Sequence, residues 1–322
     1  MKILLLSLAA TLLAQCTNAH DNRQQATQKS TADTAALTIK NVATDSASVV
    51  GGEHEADGFA TVYNAEDKKA VESLLAKFAK HDTNPQSLVI AIARQLRGIP
   101  YVARTLENDS TENLVVNLRQ LDCTTYVENV LAIYECVKNK RLTFADFCSY
   151  LRRLRYVDGK VGYPSRQHYF TEWIAENTKD GFVEEIKSPN PPFTAVQHLR
   201  INFMSTHASL YPMLKRNAGM IAPIAKMESR LSGKDYRYIP KGEIANTSLF
   251  RSTIHDGDII AITTSKAGLD TSHIGIAVWH KDGLHMLNAS QIHKKVVEEP
   301  MTLYQYMQKH PSQTGIRIVR IL

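Results

Sequence analysis

Cysteine is scarce in this sequence, and the cysteines that remain after the N-terminus are odd in number. The chain of 322 residues has four cysteines, and beyond position 16 only Cys123, Cys136 and Cys148 are left. An odd count leaves at least one thiol without a disulfide partner, which suits a reactive site as much as an accident. Cys136 and Cys148 could pair, but we expect two buried thiols, since Cys136 fits the apolar face of a helix.

Several motifs that would indicate other classes of protein are missing. The sequence has no His-Glu-x-x-His and no Cys-x-x-Cys, which argues against a zinc-dependent hydrolase, and we expect no metal and no cofactor. No Gly-x-Ser-x-Gly surrounds Ser205, so Ser205 and His207 do not indicate a serine hydrolase. Basic residues are scattered except for Arg152, Arg153 and Arg155. These fit the solvated face of a helix better than a patch for nucleic acid, which we do not expect as a partner.

Long apolar runs are also absent beyond the N-terminus, so we expect no transmembrane helix. The first residues have the pattern of a secretory signal: a lysine, the short apolar run 3–14, and a small-residue cleavage site at 17–19. Residues 13–16 (Leu-Ala-Gln-Cys) resemble a bacterial lipobox, in which Cys16 would carry a lipid anchor, although the glutamine departs from the small residue usual there. We predict a signal peptide over 1–19 and an exported protein, periplasmic or in the cell envelope, and leave the lipid anchor open.

The composition changes along the rest of the chain. Residues 20–58 are rich in Gln, Thr, Ser, Ala and Asp and nearly lack aromatic residues, which is typical of a disordered tether. Helical spacing of apolar residues follows as far as Arg155, and alternating strand patterns begin after Ile254. Helices first and an antiparallel sheet second predict one α+β domain over residues 59–322, with a large insertion at about 157–254.

The stretch 118–132 contains a candidate nucleophile. Asp122 and Thr124 are good helix N-caps and apolar residues follow at helical spacing, which places Cys123 at the start of an amphipathic helix. The positive end of the helix dipole and the unpaired N–H groups there favour the thiolate, which is the nucleophilic form. The alternative is a buried structural cysteine, since free cysteine is among the most buried residue types. The local pattern does not decide between the two.

A base and an orienting group for such a thiol are found far downstream. His273 stands on the polar face of a predicted strand (272–280), and Asn288 lies near the end of the next strand (284–289). The turn 281–283 would make them cross-strand neighbours in a hairpin. Histidine can take a proton from a thiol near neutral pH, and a polar third group can fix its ring. The ordinary alternatives are a satisfied core histidine and a turn asparagine.

Five short blocks stand in a definite order along the chain. They are Gly-Ile-Pro-Tyr-Val (98–102), Leu-Asp-Cys-Thr-Thr-Tyr-Val (121–127), Gly-Asp-Ile-Ile (257–260), His-Ile-Gly-Ile (273–276) and Leu-Asn-Ala-Ser (287–290). Together they resemble the NlpC/P60 cysteine hydrolases of peptidoglycan. The chain more closely resembles an N-acetylmuramoyl-L-alanine amidase-like subfamily, and this resemblance covers nearly everything after the tether. The additional matches are 105–107, 163–169, Trp173 and 268–273.

The resemblance implies a papain-like fold, with the nucleophile helix packed on the antiparallel sheet, and a role for each matching residue. It implies Cys123 as nucleophile, His273 as base and Asn288 as the group that orients the imidazole. The implied substrate contacts are Tyr101, Asp122, Thr124, Ser165, Arg166, Tyr169 and Ser272. Thr124 and Thr125 stand where the wider family has Ser-Gly, so we expect Thr125 to narrow the cleft. Asparagine also replaces the histidine that is common at position 288.

The implied reaction is hydrolysis of the amide bond between the N-acetylmuramic acid lactyl group and L-Ala. The substrate would be peptidoglycan or its soluble muropeptide fragments, and the enzyme a monomer without a cofactor. The first alternative is cleavage between γ-D-Glu and the diamino acid, as in the wider family. A non-catalytic envelope-binding lipoprotein and a thiol acyltransferase acting on lipids are the others.

Overall fold

The computed structural model describes residues 60–107 and 111–322, together with the two-residue strand Val50–Gly51. The predicted signal peptide, Cys16 and nearly all of the predicted tether lie outside these residues. Within the described part, no helix is both long and apolar enough to cross a membrane. The domain boundaries and the export signal therefore stay predictions.

Helices and an antiparallel sheet make up the described chain, so the α+β prediction is confirmed. The helices are α1 (Ala65–Phe78), α2 (Pro85–Gln95), α3 (Cys123–Lys138), α4 (Phe144–Arg155), α5 (Phe170–Lys179), α6 (Phe203–Thr206), α7 (Pro212–Arg216), α8 (Ile221–Leu231), α9 (Ser248–Thr253) and α10 (Leu303–Gln308). The strands are β1 (Val50–Gly51), β2 (Thr61–Val62), β3 (Leu114–Val115), β4 (Val183–Ile186), β5 (Ala195–His198), β6 (Asp235–Pro240), β7 (Ile259–Thr264), β8 (Thr271–Trp279), β9 (Leu284–Ser290), β10 (Lys295–Glu298) and β11 (Gln313–Ile321). Eight strands form one sheet in the order β10-β9-β8-β7-β11-β6-β5, and β4 also pairs with β11. Strands β1, β2 and β3 form a small separate sheet.

Helix α3 is the central element of the fold. It packs against α1, α2 and α4 and against β8 and β9 of the sheet. Every residue in 125–137 is buried, so the amphipathic helix expected from the sequence is in fact buried all round. Its Glu128 pairs with Arg155 of α4, at 2.7 Å between Oε2 and Nε, and Arg155 is therefore buried rather than on a solvated face. Cys136 and Cys148 are both buried and no disulfide joins them, as expected.

Strand β8 shows how the sheet separates two cores. Ile274, Ile276 and Val278 belong to the core formed with α1 to α4. Ala277 and the partly buried Trp279 join a second core, beneath α9 and α10. The alternation predicted for this strand is therefore confirmed, and it follows from the period of two residues along a strand.

The residues between α4 and β7 add both strands and a third core. Strand β4 pairs with one end of β11, and β6 and β5 extend the sheet beyond its other end. Helices α6, α7 and α8 pack around a separate apolar cluster that includes Tyr163, Tyr169 and Met204. This segment therefore both extends the sheet and places aromatic side chains next to the start of α3 and β8.

Candidate active site

A capping box fixes the first turn of α3. The Asp122 side chain accepts from the Thr125 backbone N–H at 2.8 Å, and the Thr125 hydroxyl accepts from the Asp122 N–H at 2.9 Å. Cys123 is therefore the first residue of the helix, where backbone N–H groups have no intrahelical partner. Thr125 is buried in this cap and does not line the cleft, so the expected narrowing of the cleft by Thr125 is wrong.

The Cys123 thiol is partly buried among hydrogen-bond donors. The backbone N–H of Ile274 on β8 and the hydroxyl and backbone N–H of Thr124 act to lower the pKa of this thiol. Burial, and next the Asp122 carboxylate, nevertheless raise the pKa of this thiol to about 12. The donors of Thr124 at the helix start lower this pKa, as expected, but the loss of solvation outweighs their effect.

Strands β8 and β9 hold the second and third candidate groups. Nε2 of His273 lies 3.0 Å from Oδ1 of Asn288. Because an amide oxygen only accepts, Nε2 carries the proton and Nδ1 is left with a lone pair that can take one. Asn288 is fully buried, and its Nδ2 donates to the Met286 carbonyl at 3.4 Å. His273 and Asn288 are diagonal rather than directly opposite, since the register pairs Ile276 with Leu287.

Gly275 allows the close packing of β8 and β9 beside these two groups. A Cβ atom at this position would lie 2.4 Å from Cγ and 2.6 Å from Sδ of Met286, and 2.8 Å from the Leu287 carbonyl oxygen. Contacts this short are repulsive, so a larger residue would push the two strands apart. The glycine of the His-Ile-Gly-Ile block is therefore a packing requirement of the hairpin.

Burial also sets the protonation state of His273. Loss of solvation lowers the pKa of His273; the hydrogen bond with Asn288 opposes this shift, and the nearby His310 adds to it. The resting pair is therefore a neutral imidazole and a neutral thiol. In this state Nδ1 of His273 is able to act as a general base at neutral pH.

One cleft contains both Cys123 and His273. Its volume is about 210 Å³, and its walls are the first turn of α3, the start of β8 and the loop before α5. The lining residues are Cys123, Thr124, Gln167, His168, Tyr169, Phe170, Met204, Tyr211, Leu269, Asp270, Thr271, Ser272, His273 and Ile274. Of the predicted substrate contacts, Thr124, Tyr169 and Ser272 are thus brought together with the nucleophile and the base.

A second depression of about 190 Å³ adjoins this cleft. The two share Thr124, Gln167, His168 and Tyr211 as lining residues. The other residues of the second depression are Arg104, Leu106, Glu107, Asp122, Glu128, Arg155 and Arg166. The predicted contact Asp122 therefore faces this depression rather than the cleft of the thiol. Arg104 has an unfavourable positive φ of 65° here, and no ion pair joins its side chain to a described residue.

Asp270 joins two walls of the cleft. Its Oδ2 accepts from the Thr171 N–H, in the first turn of α5, at 2.7 Å. Its Oδ1 accepts from the Thr271 N–H at the start of β8, also at 2.7 Å. Asp270 is buried, and charge-assisted hydrogen bonds of this kind are stronger than neutral ones. The loop that carries Tyr169 is therefore held at a fixed distance from His273.

Three predicted substrate contacts have partners within the protein. Ser165 lines neither depression, and its hydroxyl donates to a carbonyl of its own loop at 2.9 Å. Arg166 is buried in an ion pair with Glu107 and faces the second depression. The Tyr169 hydroxyl donates to Glu228 at 2.7 Å, so its ring rather than its hydroxyl is available to the cleft.

Tyr101 lies beside Cys123 without lining either depression. A single bridge joins it to Leu121, just before α3, and its backbone N–H donates to the Lys294 carbonyl at 2.9 Å. Burial, and next the negative charge that Cys123 or Asp122 would carry, raise the pKa of Tyr101 to about 12. Its hydroxyl therefore keeps its proton and can donate a hydrogen bond.

His168 belongs to the block 163–169, for which the family resemblance favours substrate contacts, and it lines both depressions. Its Nε2 donates to the Tyr163 carbonyl at 2.7 Å, and the two rings pack at 4.6 Å between centroids. Burial, and next the Arg166 charge, hold the pKa of His168 well below its ordinary value, so the ring is neutral and Nδ1 can accept. The family resemblance of the block 163–169 points to His168, but a polar loop on the protein surface has the same pattern of residues.

Metal ligands do not gather in the cleft. Among the described residues, one group of His, Cys, Asp or Glu side chains is close enough to hold a metal ion: His280, Asp282 and His285. This group lies at the turn between β8 and β9, at the opposite end of the hairpin from His273.

Comparison with known proteins places the chain among amidase-like sequences. The family model described as N-acetylmuramoyl-L-alanine amidase-like (AmiA-like) matches residues 91–316. A solved N-acetylmuramoyl-L-alanine amidase from Bacteroides uniformis ATCC 8492 is 37% identical, with a TM-score of 0.69 over 74% of this chain and 98% of that one. A Bacteroides fragilis protein with a provisional xylanase name is 40% identical, with a TM-score of 0.67 over 72% of this chain and 99% of that one.

A Legionella pneumophila protein with a TM-score of 0.61 is only 20% identical, over 80% of this chain and 95% of that one, and so shows the fold alone. No curated protein matches the chain. The residues matched by the family model include all of α3 and every residue that lines the cleft. The chain therefore belongs to the N-acetylmuramoyl-L-alanine amidase-like family.

Proposed function

We propose that the protein is a cysteine-dependent N-acetylmuramoyl-L-alanine amidase, which hydrolyses the bond between the N-acetylmuramic acid lactyl group and L-Ala. The observation that carries the proposal is the cleft shared by Cys123 and His273, with Nε2 of His273 3.0 Å from Oδ1 of Asn288. Membership of the amidase-like family and similarity to a solved amidase support the choice of bond. We also propose that the fold is of the papain-like NlpC/P60 type.

The first step forms a bond between the Cys123 sulfur and the lactyl carbonyl carbon. As the sulfur attacks, Nδ1 of His273 takes the thiol proton, which a thiol with a raised pKa does not release by itself. The imidazolium keeps its Nε2 hydrogen bond to Asn288. Asn288 has no charge, so it holds the ring in place but stabilises the imidazolium less than a carboxylate would.

The second step releases the stem peptide and then the sugar. Nδ1 of His273 returns its proton to the L-Ala nitrogen, the C–N bond breaks, and the lactyl group remains on Cys123 as a thioester. His273 then takes a proton from water, whose oxygen attacks the thioester carbon; the C–S bond breaks, and the Cys123 sulfur regains its proton from His273. One water is consumed, and the products are the sugar carboxylate and a peptide with a free amine.

Two donors are proposed for the oxyanion that forms at the lactyl carbonyl. The Cys123 backbone N–H is unpaired at the helix start, and such donors stabilise a developing negative charge. The second proposed donor is the Tyr101 hydroxyl. It interacts electrostatically with Cys123, and its raised pKa means that it keeps its proton.

We further propose that soluble muropeptides are preferred over cross-linked polymer. Only together do the cleft and the adjoining depression, of about 210 and 190 Å³, reach the lower end of the volume range of small-molecule sites. Residues Gln167, His168, Tyr169 and Tyr211, from the segment between α4 and β7, close one side. Equal activity on intact sacculi and on soluble fragments would contradict this preference.

Two other activities deserve comparison with this proposal. Cleavage between γ-D-Glu and the diamino acid, as in the wider NlpC/P60 family, would use the same residues, so it remains the runner-up. A xylanase is less well supported, since glycosidases need two carboxyl groups flanking the bond. Asp270 is the one carboxylate lining the cleft in the described part of the chain, and both its oxygens accept backbone N–H groups.

The cellular setting of the proposal comes from the N-terminus. We propose export to the periplasm or the cell envelope, with the protein acting as a monomer, and with lipidation of Cys16 as an alternative form of attachment. A charge of +6 suits an anionic envelope polymer as partner. Globomycin-sensitive processing of the full chain would identify the lipid-anchored form, and its absence would favour cleavage at 17–19.

The test uses the purified full chain and a disaccharide–tripeptide muropeptide, with the products weighed by mass spectrometry. We expect free tripeptide and the disaccharide carboxylate, whereas a disaccharide–dipeptide product would support the endopeptidase instead. Cys123→Ala should abolish product formation. Cys148→Ala, which changes a buried thiol of α4 outside the cleft, is the control and should keep the activity. Undiminished activity of Cys123→Ala would overturn the proposal.

A further inference from the structure

Three potential metal ligands meet at the turn of the β8–β9 hairpin. One ligand atom from each of His280, Asp282 and His285 lies within 4.8 Å of the other two. His280 follows β8, Asp282 lies in the turn, and His285 is on β9. At ~3.3 Å per residue along β8, the group is about 20 Å from His273. It is therefore separate from the cleft and does not depend on the proposed hydrolase function.

His285 is the fixed member of this group. Its side chain is 2% exposed, and Nδ1 lies 2.8 Å from the Glu299 carbonyl oxygen. Because that oxygen only accepts, Nδ1 carries the proton and Nε2 of the neutral ring has the lone pair. Nε2 in turn lies 3.0 Å from Oδ1 of Asp282, which also only accepts. The Nε2 lone pair of His285 and Oδ1 of Asp282 are therefore close enough to bind one shared cation.

His280 is oriented in the same manner. Its Nε2 lies 2.7 Å from Oε1 of Glu298, so Nε2 carries the proton and Nδ1 is available as a ligand. Arg94 holds that carboxylate at 2.8 Å. Histidines that bind metals regularly donate their other ring N–H to a carboxylate or a backbone carbonyl, which fixes the tautomer. Both contacts are present here, the carboxylate for His280 and the carbonyl for His285.

We propose that His280, Asp282 and His285 bind a divalent transition-metal ion of the Zn²⁺ type. Two imidazole nitrogens and one carboxylate oxygen, with water as a fourth ligand, suit this class of ion. The two rings lie face to face at 4.0 Å between centroids, so His280 has to turn and give up its Glu298 contact for the two lone pairs to meet at one ion, while His285 keeps its contact with the Glu299 carbonyl. His280 and Asp282 are 38% and 65% exposed, and these two side chains close on the buried His285. Such an ion would join the ends of β8 and β9 at the turn, while His273 and Asn288 lie at the other end of the same hairpin.

The test is Zn²⁺ binding to the metal-free full chain, measured by isothermal titration calorimetry with ZnCl₂. A Cys123→Ser background removes the cleft thiol as a competing ligand. We expect one saturable site and a thermal midpoint that rises by a few degrees with excess ZnCl₂, because the ion binds only the folded hairpin. His280→Ala and Asp282→Asn change exposed side chains and leave the buried His285 in place, so the fold is kept. Each should weaken Zn²⁺ binding at least about tenfold and cancel the thermal shift.

His198→Ala is the matched control. His198 also pairs with an aspartate at the surface, at 2.6 Å from Asp235, but it does not belong to a group of three ligands. This variant should bind Zn²⁺ like its parent. No saturable site in the parent, or equal affinity in the His280, Asp282 and His198 variants, would overturn the proposal.

Discussion

Asn288→Ala tests the candidate site by removing one hydrogen bond while both reacting groups stay in place. Asn288 is fully buried, and its Oδ1 accepts from Nε2 of His273 at 3.0 Å. Without this partner the imidazole can rotate, and the proton is no longer confined to Nε2. The substitution therefore acts on the reaction through the orientation of His273 and leaves the substrate contacts of the cleft unchanged.

The expected size of the effect follows from the charge on His273 in the transition state. A hydrogen bond to a charged group contributes about 1.5–3 kcal/mol. At about 1.4 kcal/mol per tenfold in rate, this predicts that kcat/KM falls by about 10- to 150-fold. The buried Nε2–H that loses its partner also lowers the free energy of unfolding by about 1–3 kcal/mol. Both quantities are measurable, from muropeptide turnover and from urea denaturation.

The pH dependence of kcat/KM distinguishes a loss of His273 orientation from a general loss of stability. The bond to Asn288 raises the pKa of His273 against the effect of burial, so its loss lowers that pKa further. The reaction needs neutral His273, and the rate therefore rises as pH increases through its pKa. The acid limb of kcat/KM should move to lower pH in Asn288→Ala.

Asn139→Ala is the control for this prediction. Asn139 ends α3 far along the helix from Cys123, and its Nδ2 donates to the Glu135 carbonyl at 2.8 Å. Its loss should lower stability while kcat/KM and the acid limb stay as in the parent. If Asn288→Ala also kept the parent rate and the parent acid limb, the role assigned to Asn288 would be refuted.

Three further substitutions test other parts of the structure. Thr125→Val should lower the free energy of unfolding in urea by about 1 kcal/mol, because it breaks the helix cap, and should leave KM unchanged. A raised KM would show that Thr125 contacts the substrate. Gly275→Ala should cost about 1–3 kcal/mol because its Cβ would meet Met286, and the same substitution should cost less when it is made in a Met286→Ala background. His168→Phe keeps a ring against Tyr163 but removes the Nδ1 acceptor. We expect KM to rise about tenfold with a small change in kcat, and an unchanged KM would remove His168 from the substrate contacts.

Local features of the fold could be predicted from the sequence. The start of α3 follows from Asp122, whose side chain can cap only a helix that begins at the next residue. The alternation of β8 follows from its apolar residues. The burial of α3 on all sides could not be predicted, because the partner of its Glu128 is Arg155, on another helix. Helical spacing contains no information about such a pairing.

The identity of the candidate site residues was more predictable than their state. Order along the chain and the resemblance to a known family selected Cys123, His273 and Asn288, and the structure brings Cys123 and His273 to one cleft. The raised pKa of Cys123 could not be predicted, since a helix start is a local feature whereas desolvation depends on the whole fold. Arg166 pairs with Glu107 from a distant loop and lines the second depression, and its role as a substrate contact stays a prediction.

The raised pKa of Cys123 also bears on how long the protein survives in an oxidising environment. Peroxides, disulfides and alkylating agents attack the thiolate far faster than the thiol. With a pKa of about 12, on the order of one molecule in 10⁵ carries the thiolate at pH 7. Iodoacetamide should therefore modify the resting protein slowly. Under the proposed mechanism, Cys123 becomes nucleophilic only when His273 takes its proton during attack, so the resting thiol resists oxidation and alkylation.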